Sequence, residues 1–315
     1  MPILESRELV RYYGDHLAVD HVSFDVEKGE IFGFLGPNGA GKTTTVRMIT
    51  GFFHPSGGTA IVNGHDVVEQ TLAARRHIGV VPEEANVYVD LSVWQNVMLM
   101  AELHRIDRKT RTERGRELLE AFGLFDRKDH EGRTLSKGLK QRLMLCMALV
   151  SRPVVLFLDE PTSGLDVKSA RLIRDMIIRM NREEDMTIFL TTHNISEAEQ
   201  ICHRVAIINN GRIAAIDTPD ALRSVVESRR SAEITFKDME KETLNPAAFA
   251  DIGAEDIRSL PQGYQIYSPH PGRIVQRMCT EAEKAGIEVQ SVRTMEPSLE
   301  DVFMYMTSGK QEVQS

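Results

Sequence analysis

The chain has 315 residues and a formal net charge of −8, from 38 Lys and Arg against 46 Asp and Glu. That balance excludes a general nucleic-acid binder, which needs a basic surface to displace counterions from phosphate, so no nucleic-acid partner is expected. With 42% hydrophobic and 27% charged residues the composition is that of a folded globular protein, and no run approaches the roughly 18 apolar residues of a membrane helix.

Residues 1–9 carry Glu5 and Glu8 and no apolar run, so no signal peptide is expected. Residues 19–26 alternate apolar and polar and stop at Lys28-Gly29, which predicts a half-buried strand. The apolar run 31–35 feeds directly into Gly36-Pro37-Asn38-Gly39-Ala40-Gly41-Lys42-Thr43. Residues 44–50 then place Val46 and Ile49 at helical spacing, with Gly51 as the stop. Ile61-Val62 runs into Asn63-Gly64, a hairpin signal. From about residue 84 to 150 the pattern turns helical and more charged. Trp94 and its neighbours read as the core of that stretch, with a groove for a partner helix as the alternative.

Two more buried strands, 154–158 and 187–191, flank a helix with Leu172, Ile173, Met176, Ile177 and Met180 along one face. Strand, helix, strand predicts a parallel sheet covered by helices. Asn209-Asn210-Gly211 joins two apolar runs as a second hairpin, and Thr218-Pro219 opens a short helix. After about residue 228 the character changes. Strands are expected at 232–236, 255–260, 264–267 and 287–292, with a helix at 273–285. A further helix at 243–251 would complete a β-α-β-β-α-β, ferredoxin-like order. Ser298-Leu299-Glu300-Asp301 reads as a capping box for a last helix, and 310–315 as a flexible tail. Cys146, Cys202 and Cys279 stand far apart with no CxxC pair and are expected to be reduced, small hydrophobes.

The segment from Gly36 to Thr43 is a full Walker A phosphate loop. Its glycines let successive N–H groups turn inward around phosphate oxygens, and the helix that begins there aims its positive end at the same anions. Lys42 is expected to reach the β- and γ-phosphates and the Thr43 hydroxyl to ligate Mg²⁺. Gly36, Pro37, Asn38, Gly39, Ala40, Gly41, Lys42, Thr43 and Thr44 are thus the candidate ATP-binding residues. Leu156-Phe157-Leu158-Asp159-Glu160 adds an apolar strand ending in two carboxylates, the Walker B pattern. Asp159 is the candidate Mg²⁺ ligand. Glu160, at the carboxyl end of the strand, is the candidate general base for the attacking water.

Leu135-Ser136-Lys137-Gly138-Leu139-Lys140-Gln141-Arg142 resembles the signature motif of the ABC ATPases. Ser163-Gly164-Leu165-Asp166 looks like their D-loop, Thr191-Thr192-His193 like their switch-histidine strand, and Gly79-Val80-Val81-Pro82-Glu83 like their Q-loop. Tyr13 is similar to the aromatic residue that stacks on adenine. The motifs stand in the family's order over about residues 4–225. The resemblance implies an α/β fold: a P-loop ABC ATPase core over residues 1–227, with a RecA-like lobe, an antiparallel β subdomain and a helical subdomain at about 84–150. A small C-terminal α+β domain at 228–309 would follow.

It also implies ATP sandwiched head to tail between two cassettes. Ser136, Lys137, Gly138 and Asp166 would reach the nucleotide of the other copy, His193 would act beside Glu160, and Glu83 would approach the metal. Two departures stand out: Glu83 replaces the usual Gln, and Lys137 and Leu139 replace commoner residues of the signature. With the Lys137-Gly138 signature variant, the single cassette and the tail ending Glu296-Pro297-Ser298-Leu299-Glu300-Asp301-Val302-Phe303, the chain looks like the ATP-hydrolysing subunits of ABC-2-type exporters, the drug-resistance and sodium-efflux-like group. That implies a homodimer, or a pairing with a related subunit, on the cytoplasmic face of the cell membrane beneath a separate integral membrane permease. A soluble ABC ATPase acting on a ribosome or DNA-repair complex is the alternative.

Overall fold

The computed structural model describes residues 2–84, 86–224, 230–237 and 253–307. Chain contacts divide it into two units, residues 1–218 and 219–315.

The first unit holds two sheets. β1 (Leu4–Tyr13), β2 (His16–Val26), β4 (Gly57–Val62) and β5 (His65–Asp66) form an antiparallel sheet in the order β2-β1-β4-β5. The expected Asn63-Gly64 turn joins β4 to β5, both residues taking positive φ as a tight hairpin requires. The second sheet runs β10-β9-β3-β8-β7-β6, from β3 (Ile31–Leu35), β6 (Ile78–Val81), β7 (Val155–Asp159), β8 (Thr187–Thr192), β9 (Arg204–Asn209) and β10 (Arg212–Asp217). Its strands pair in parallel except β9 with β10, the second hairpin. β3, β7 and β8 are buried along their whole length, which is why they read as continuous apolar runs.

Aromatic rings fuse the two sheets. Phe24 of β2 stacks on Phe32 of β3 at 5.3 Å, and Phe189 of β8 packs against Phe24, Phe32, Phe34 and Phe157 at 5.3–5.7 Å. All five rings are buried, so this cluster fixes the sheet whose carboxyl-terminal edge carries the site.

Helix α1 (Lys42–Ile49) starts two residues earlier than the apolar spacing implies. α2 (Thr71–Arg75) is short. The helical stretch comprises α3 (Val93–Leu103), α4 (Arg108–Ala121) and α5 (Lys137–Leu149). Ser92 and Gln95 cap α3 reciprocally, Asp107 caps α4 and Ser136 caps α5. Trp94 is half-buried and faces α4, where a Cβ on Gly115 would come within 3.7 Å of its ring. On α6 (Val167–Glu184) the buried stripe is Ile173, Ile177 and Met180. Leu172, expected in that stripe, is exposed. Asn181 is buried instead, donating to Gly29 O at 2.8 Å and Met186 O at 2.9 Å; a polar side chain with two carbonyl partners was invisible to an apolar count. α7 (Ile195–Ile201) follows β8 and brings Cys202 against β3, where a Cβ on Gly33 would lie 2.7 Å from Sγ. Burial pushes the Cys146 and Cys202 thiols up, which keeps them protonated and inert.

In the second unit, α8 (Pro219–Ser224) precedes a sheet ordered β12-β13-β11-β14 with every pair antiparallel. Its strands are β11 (Ser231–Phe236), β12 (Asp256–Leu260), β13 (Gly263–Tyr267) and β14 (Val289–Met295). β14 begins and ends later than expected. α9 (Pro271–Ala285) lays Ile274, Met278 and Ala282 on Ala232, Ile234, Phe236 and Ile266. The capping box forms: Asp301 accepts from Ser298 N at 3.0 Å while Ser298 Oγ accepts from Asp301 N at 3.2 Å, ahead of α10 (Leu299–Thr307). The helix expected at 243–251 and the tail at 310–315 lie outside the described residues.

Candidate active site

Four parallel strands deliver the site. β3 ends in the phosphate loop, β7 in Asp159-Glu160, β8 in Thr192-His193 and β6 in the segment that reaches Glu83. This is the strand edge at which open α/β sheets place ligands.

The loop has the shape the glycines dictate. Gly39 and Gly41 take φ of 82° and 105°, values in the left-handed region that a side chain disfavours. A Cβ on Gly41 would lie 2.7 Å from Ala18 O, and one on Gly36 would lie 2.5 Å from Ile208 O. Gly41 precedes α1 without any side-chain cap, so the first N–H groups of the helix are left for an anion. Gly36 N donates to Thr192 O at 3.3 Å, and Gly211 N donates to Ala40 O at 3.0 Å, bracing the loop from β8 and from the β9–β10 turn.

Lys42 is buried, only 7% exposed. Its Nζ donates to Gly36 O at 2.7 Å and Pro37 O at 3.2 Å and lies 3.2 Å from Glu160 Oε1. That last approach is poorly aligned for hydrogen bonding, so Oε1 of the buried Glu160 is left without a donor. The other oxygen, Oε2, accepts from His193 Nδ1 at 2.8 Å and from His193 N at 3.3 Å. An ionised carboxylate only accepts, so against ionised Glu160 the imidazole carries a proton on Nδ1. Glu160 adopts φ 50°, a left-handed backbone that costs about 1–3 kcal/mol and persists only where neighbours hold it. Thr191 does so, accepting from Glu160 N through its carbonyl and its Oγ1, each at 3.1 Å.

Asp159 Oδ1 accepts from Thr43 Oγ1 at 3.3 Å and Thr191 Oγ1 at 2.5 Å, joining two of the three residues expected at the metal. Glu83 borders the same cavity as Thr43 and Asp159 and accepts from Ser163 Oγ at 3.4 Å. The exposed Tyr13 ring lies under the Arg11 guanidinium, 5.0 Å from its centroid, and edge-on to Phe53 at 6.4 Å.

The signature residues gather elsewhere. Ser136 caps α5, Lys137 Nζ lies 2.4 Å from where a Cβ on Gly164 would be, and Gly138 packs against Ser169 of α6. Asp166 caps α6, accepting from Ser169 N at 2.9 Å and Oγ at 2.7 Å, bonds that lower its carboxyl pKa.

The residues present fit a magnesium-bound triphosphate: an uncapped helix start, a glycine cradle, a buried lysine, a carboxylate oxygen lacking a donor and a Thr43–Asp159 pair. The ABC transporter family profile matches residues 19–163. The chain is 32% identical to the linearmycin resistance ATP-binding protein of Bacillus subtilis, covering 97% of this chain and 98% of that one. It is 35% identical to the daunorubicin/doxorubicin resistance ATP-binding protein of Streptomyces peucetius, covering 96% and 92%. This chain belongs to the ABC transporter family. A solved ATP-binding subunit of an ABC transporter superposes with a TM-score of 0.65 at 30% identity, covering 71% of this chain and 92% of that one. The protein is accordingly an ATP-binding, ATP-hydrolysing subunit of an ABC transporter, a P-loop cassette of the α/β class. No helix among the described residues is long and apolar enough to cross a membrane.

Sequence reasoning missed Thr191, which holds both Asp159 and Glu160, and Glu197, whose carboxylate accepts from Thr162 Oγ1 at 2.7 Å. The signal for the first was two threonines at the end of an otherwise apolar, wholly buried strand: a buried hydroxyl needs a partner.

Proposed function

We propose that two copies of this chain, or one copy and a related subunit, close head to tail on ATP and drive an ABC-2-type exporter from the cytoplasmic face of the cell membrane. The observation that carries the chemical reading is the Lys42–Glu160–His193 chain at the carboxyl ends of three neighbouring strands. Lys42, released from the Gly36 and Pro37 carbonyls, binds the β- and γ-phosphates together with the N–H groups of residues 38–44. Glu160 accepts the proton of the attacking water, and His193 orients the Glu160 carboxylate through Oε2. Thr43 and Asp159 would hold Mg²⁺, with Glu83 approaching through water, and the ion would neutralise charge developing on the phosphoryl oxygens. A two-ligand site suits Mg²⁺, which keeps several waters and leans on substrate phosphates. Tyr13, with one face under Arg11, offers its other face to adenine. Ser136, Lys137, Gly138 and Asp166 serve the nucleotide of the opposite copy. Both resistance relatives match nearly the whole length of the chain, the second unit included, which favours the exporter reading over a soluble ABC ATPase acting on ribosomes or DNA.

We assign docking of the membrane partner to the cavity that Thr43, Glu83 and Asp159 also border. A cavity of about 1000 Å³ opens between α1, α2, β6, α3 and α5, with the exposed side chains of Phe52, Leu72 and Leu103 on its walls and Arg47, Arg75 and Arg105 among them. Leu72 is 78% exposed. An amphipathic helix of the permease with acidic residues flanking its apolar stripe fits such a groove. Leu72→Glu is expected to cut co-purification with the membrane subunit by about ten-fold or more, as charge repulsion enters an apolar contact. ATPase activity of the isolated chain stays as it is. Stoichiometric recovery of the permease with this variant would place the docking surface elsewhere.

A further inference from the structure

Glu197 is wholly buried and has no part in the chemistry above. It occupies the third position of α7, after the cap Asn194, whose Oδ1 accepts from Glu197 N at 3.2 Å. A glutamate there ordinarily reaches back to the N–H of the capping residue. Here that N–H is already taken, donating to Thr192 Oγ1 at 3.0 Å, and the Glu197 carboxylate turns inward instead. Its Oε1 accepts from Thr162 Oγ1 at 2.7 Å, while Oε2 is buried with no hydrogen-bond partner. Burying a carboxyl group at such cost, with one oxygen unsatisfied, is not explained by helix capping.

Thr162 lies two residues beyond Glu160, inside a turn closed by Ser163 N donating to Glu160 O at 3.0 Å. Glu197 lies four residues beyond His193, on the helix that His193-Asn194 leads into. The Thr162–Glu197 bond therefore closes a ring: Glu160 through the turn to Thr162, across to Glu197, back along the first turn of α7 to His193, and through His193 Nδ1 to Glu160 Oε2. Apart from these two side-chain hydrogen bonds, the ring is closed by backbone alone. We propose that Glu197 is a positioning residue for ATP hydrolysis, a strut that fixes the separation of Glu160 and His193 by tying the turn after the base to the helix after the histidine. Burial raises the Glu197 carboxyl pKa, with Glu160 adding to the rise and Thr162, Thr192 and Arg174 opposing it. A glutamine of the same shape keeps the carbonyl oxygen that accepts from Thr162 Oγ1.

The strut's hydrogen bond runs from Thr162 to Glu197 and not to residues 36–43, so its loss acts on the chemical step and not on nucleotide binding. Glu197→Ala and Thr162→Val in the full-length chain are each expected to lower kcat by about 10–100-fold, the usual cost of a misplaced catalytic group. The affinity for a fluorescent ATP analogue stays within about two-fold, the split that marks an interaction outside ground-state binding. The double variant Thr162→Val/Glu197→Ala loses no more than either single one, because both break the same bond. Glu197→Gln, which still accepts from Thr162, regains activity to within about three-fold. Additive losses, a parallel fall in nucleotide affinity, or an unchanged kcat in Glu197→Ala and Thr162→Val would overturn the proposal. Because it rests on Glu160 as the base, Glu160→Gln runs alongside. Turnover in that control sinks the base assignment, whereas an inactive control beside an active Glu197→Ala sinks the strut alone.

Discussion

Glu160→Gln is expected to lower ATP turnover by about 10²–10⁴-fold, the contribution of a positioned general base. The substitution is nearly isosteric. It keeps an acceptor for His193 Nδ1 and the backbone amide bonds to Thr191, so the left-handed turn at residue 160 survives. What it removes is the proton acceptor. It also takes a negative charge away from Lys42, 3.2 Å from Oε1 in the wild-type site, and frees that ammonium for phosphate. Turnover therefore collapses while nucleotide affinity holds or rises, a combination that steady-state kinetics and a binding titration read directly. If Glu160→Gln hydrolyses ATP at the wild-type rate, another group takes the proton and the assignment of the β7 carboxylates is wrong.

Lys42→Ala produces the opposite split. Lys42 is the buried cation of the loop, and its Nζ already ties Gly36 O and Pro37 O into the curve that the phosphates need. Truncation removes the charge that meets the β- and γ-phosphates and leaves Glu160 buried without its ion-pair partner. Losing the lysine partner of the bound phosphates costs about 2–5 kcal/mol of binding. ATP affinity is expected to fall by about two to three orders of magnitude, at roughly 1.4 kcal/mol per ten-fold. Circular dichroism and thermal melting should show a folded protein, since the aromatic cluster of Phe24, Phe32, Phe34, Phe157 and Phe189 is untouched. A folded Lys42→Ala that binds ATP as the wild type does would remove the phosphate loop from the account.

Much of this was legible in the sequence, for a physical reason. A phosphate loop needs glycines where the backbone is left-handed or crowded, and a strand buried on both faces must be apolar, so Gly39, Gly41, β3 and β7 announce themselves. Asp159 and Glu160 end such a strand, which marks them as ligand-facing. The partners that hold them were harder to see. Thr191 acts through a hydroxyl from the neighbouring strand, and Glu197 through a carboxylate from a different helix. Neither contact follows from spacing along the chain; both depend on parallel β7–β8 pairing, in which Asp159 stands opposite Thr191. Leu172 fails in the other direction: helical period alone put it in the core, but the buried face of α6 is narrower and centred on Ile173 and Ile177. Glu83 was located by the likeness of residues 79–83 to a Q-loop, while its hydrogen bond to Ser163 of the segment leading to Asp166 depends on the folded chain. The signature residues were recognisable as a motif, yet within one chain their contacts run to the start of α6, so their service to a nucleotide depends on a second chain.

That dependence is where the account is most exposed. Light scattering of purified Glu160→Gln, with and without saturating ATP and Mg²⁺, tests it most directly. The predicted result is a shift from the 35.5 kDa chain mass to twice that value with ATP and Mg²⁺, reversed by chelating the metal and absent in Glu160→Gln combined with Lys42→Ala. A Glu160→Gln protein that binds the nucleotide and still scatters as a single chain would contradict the shared-nucleotide mechanism.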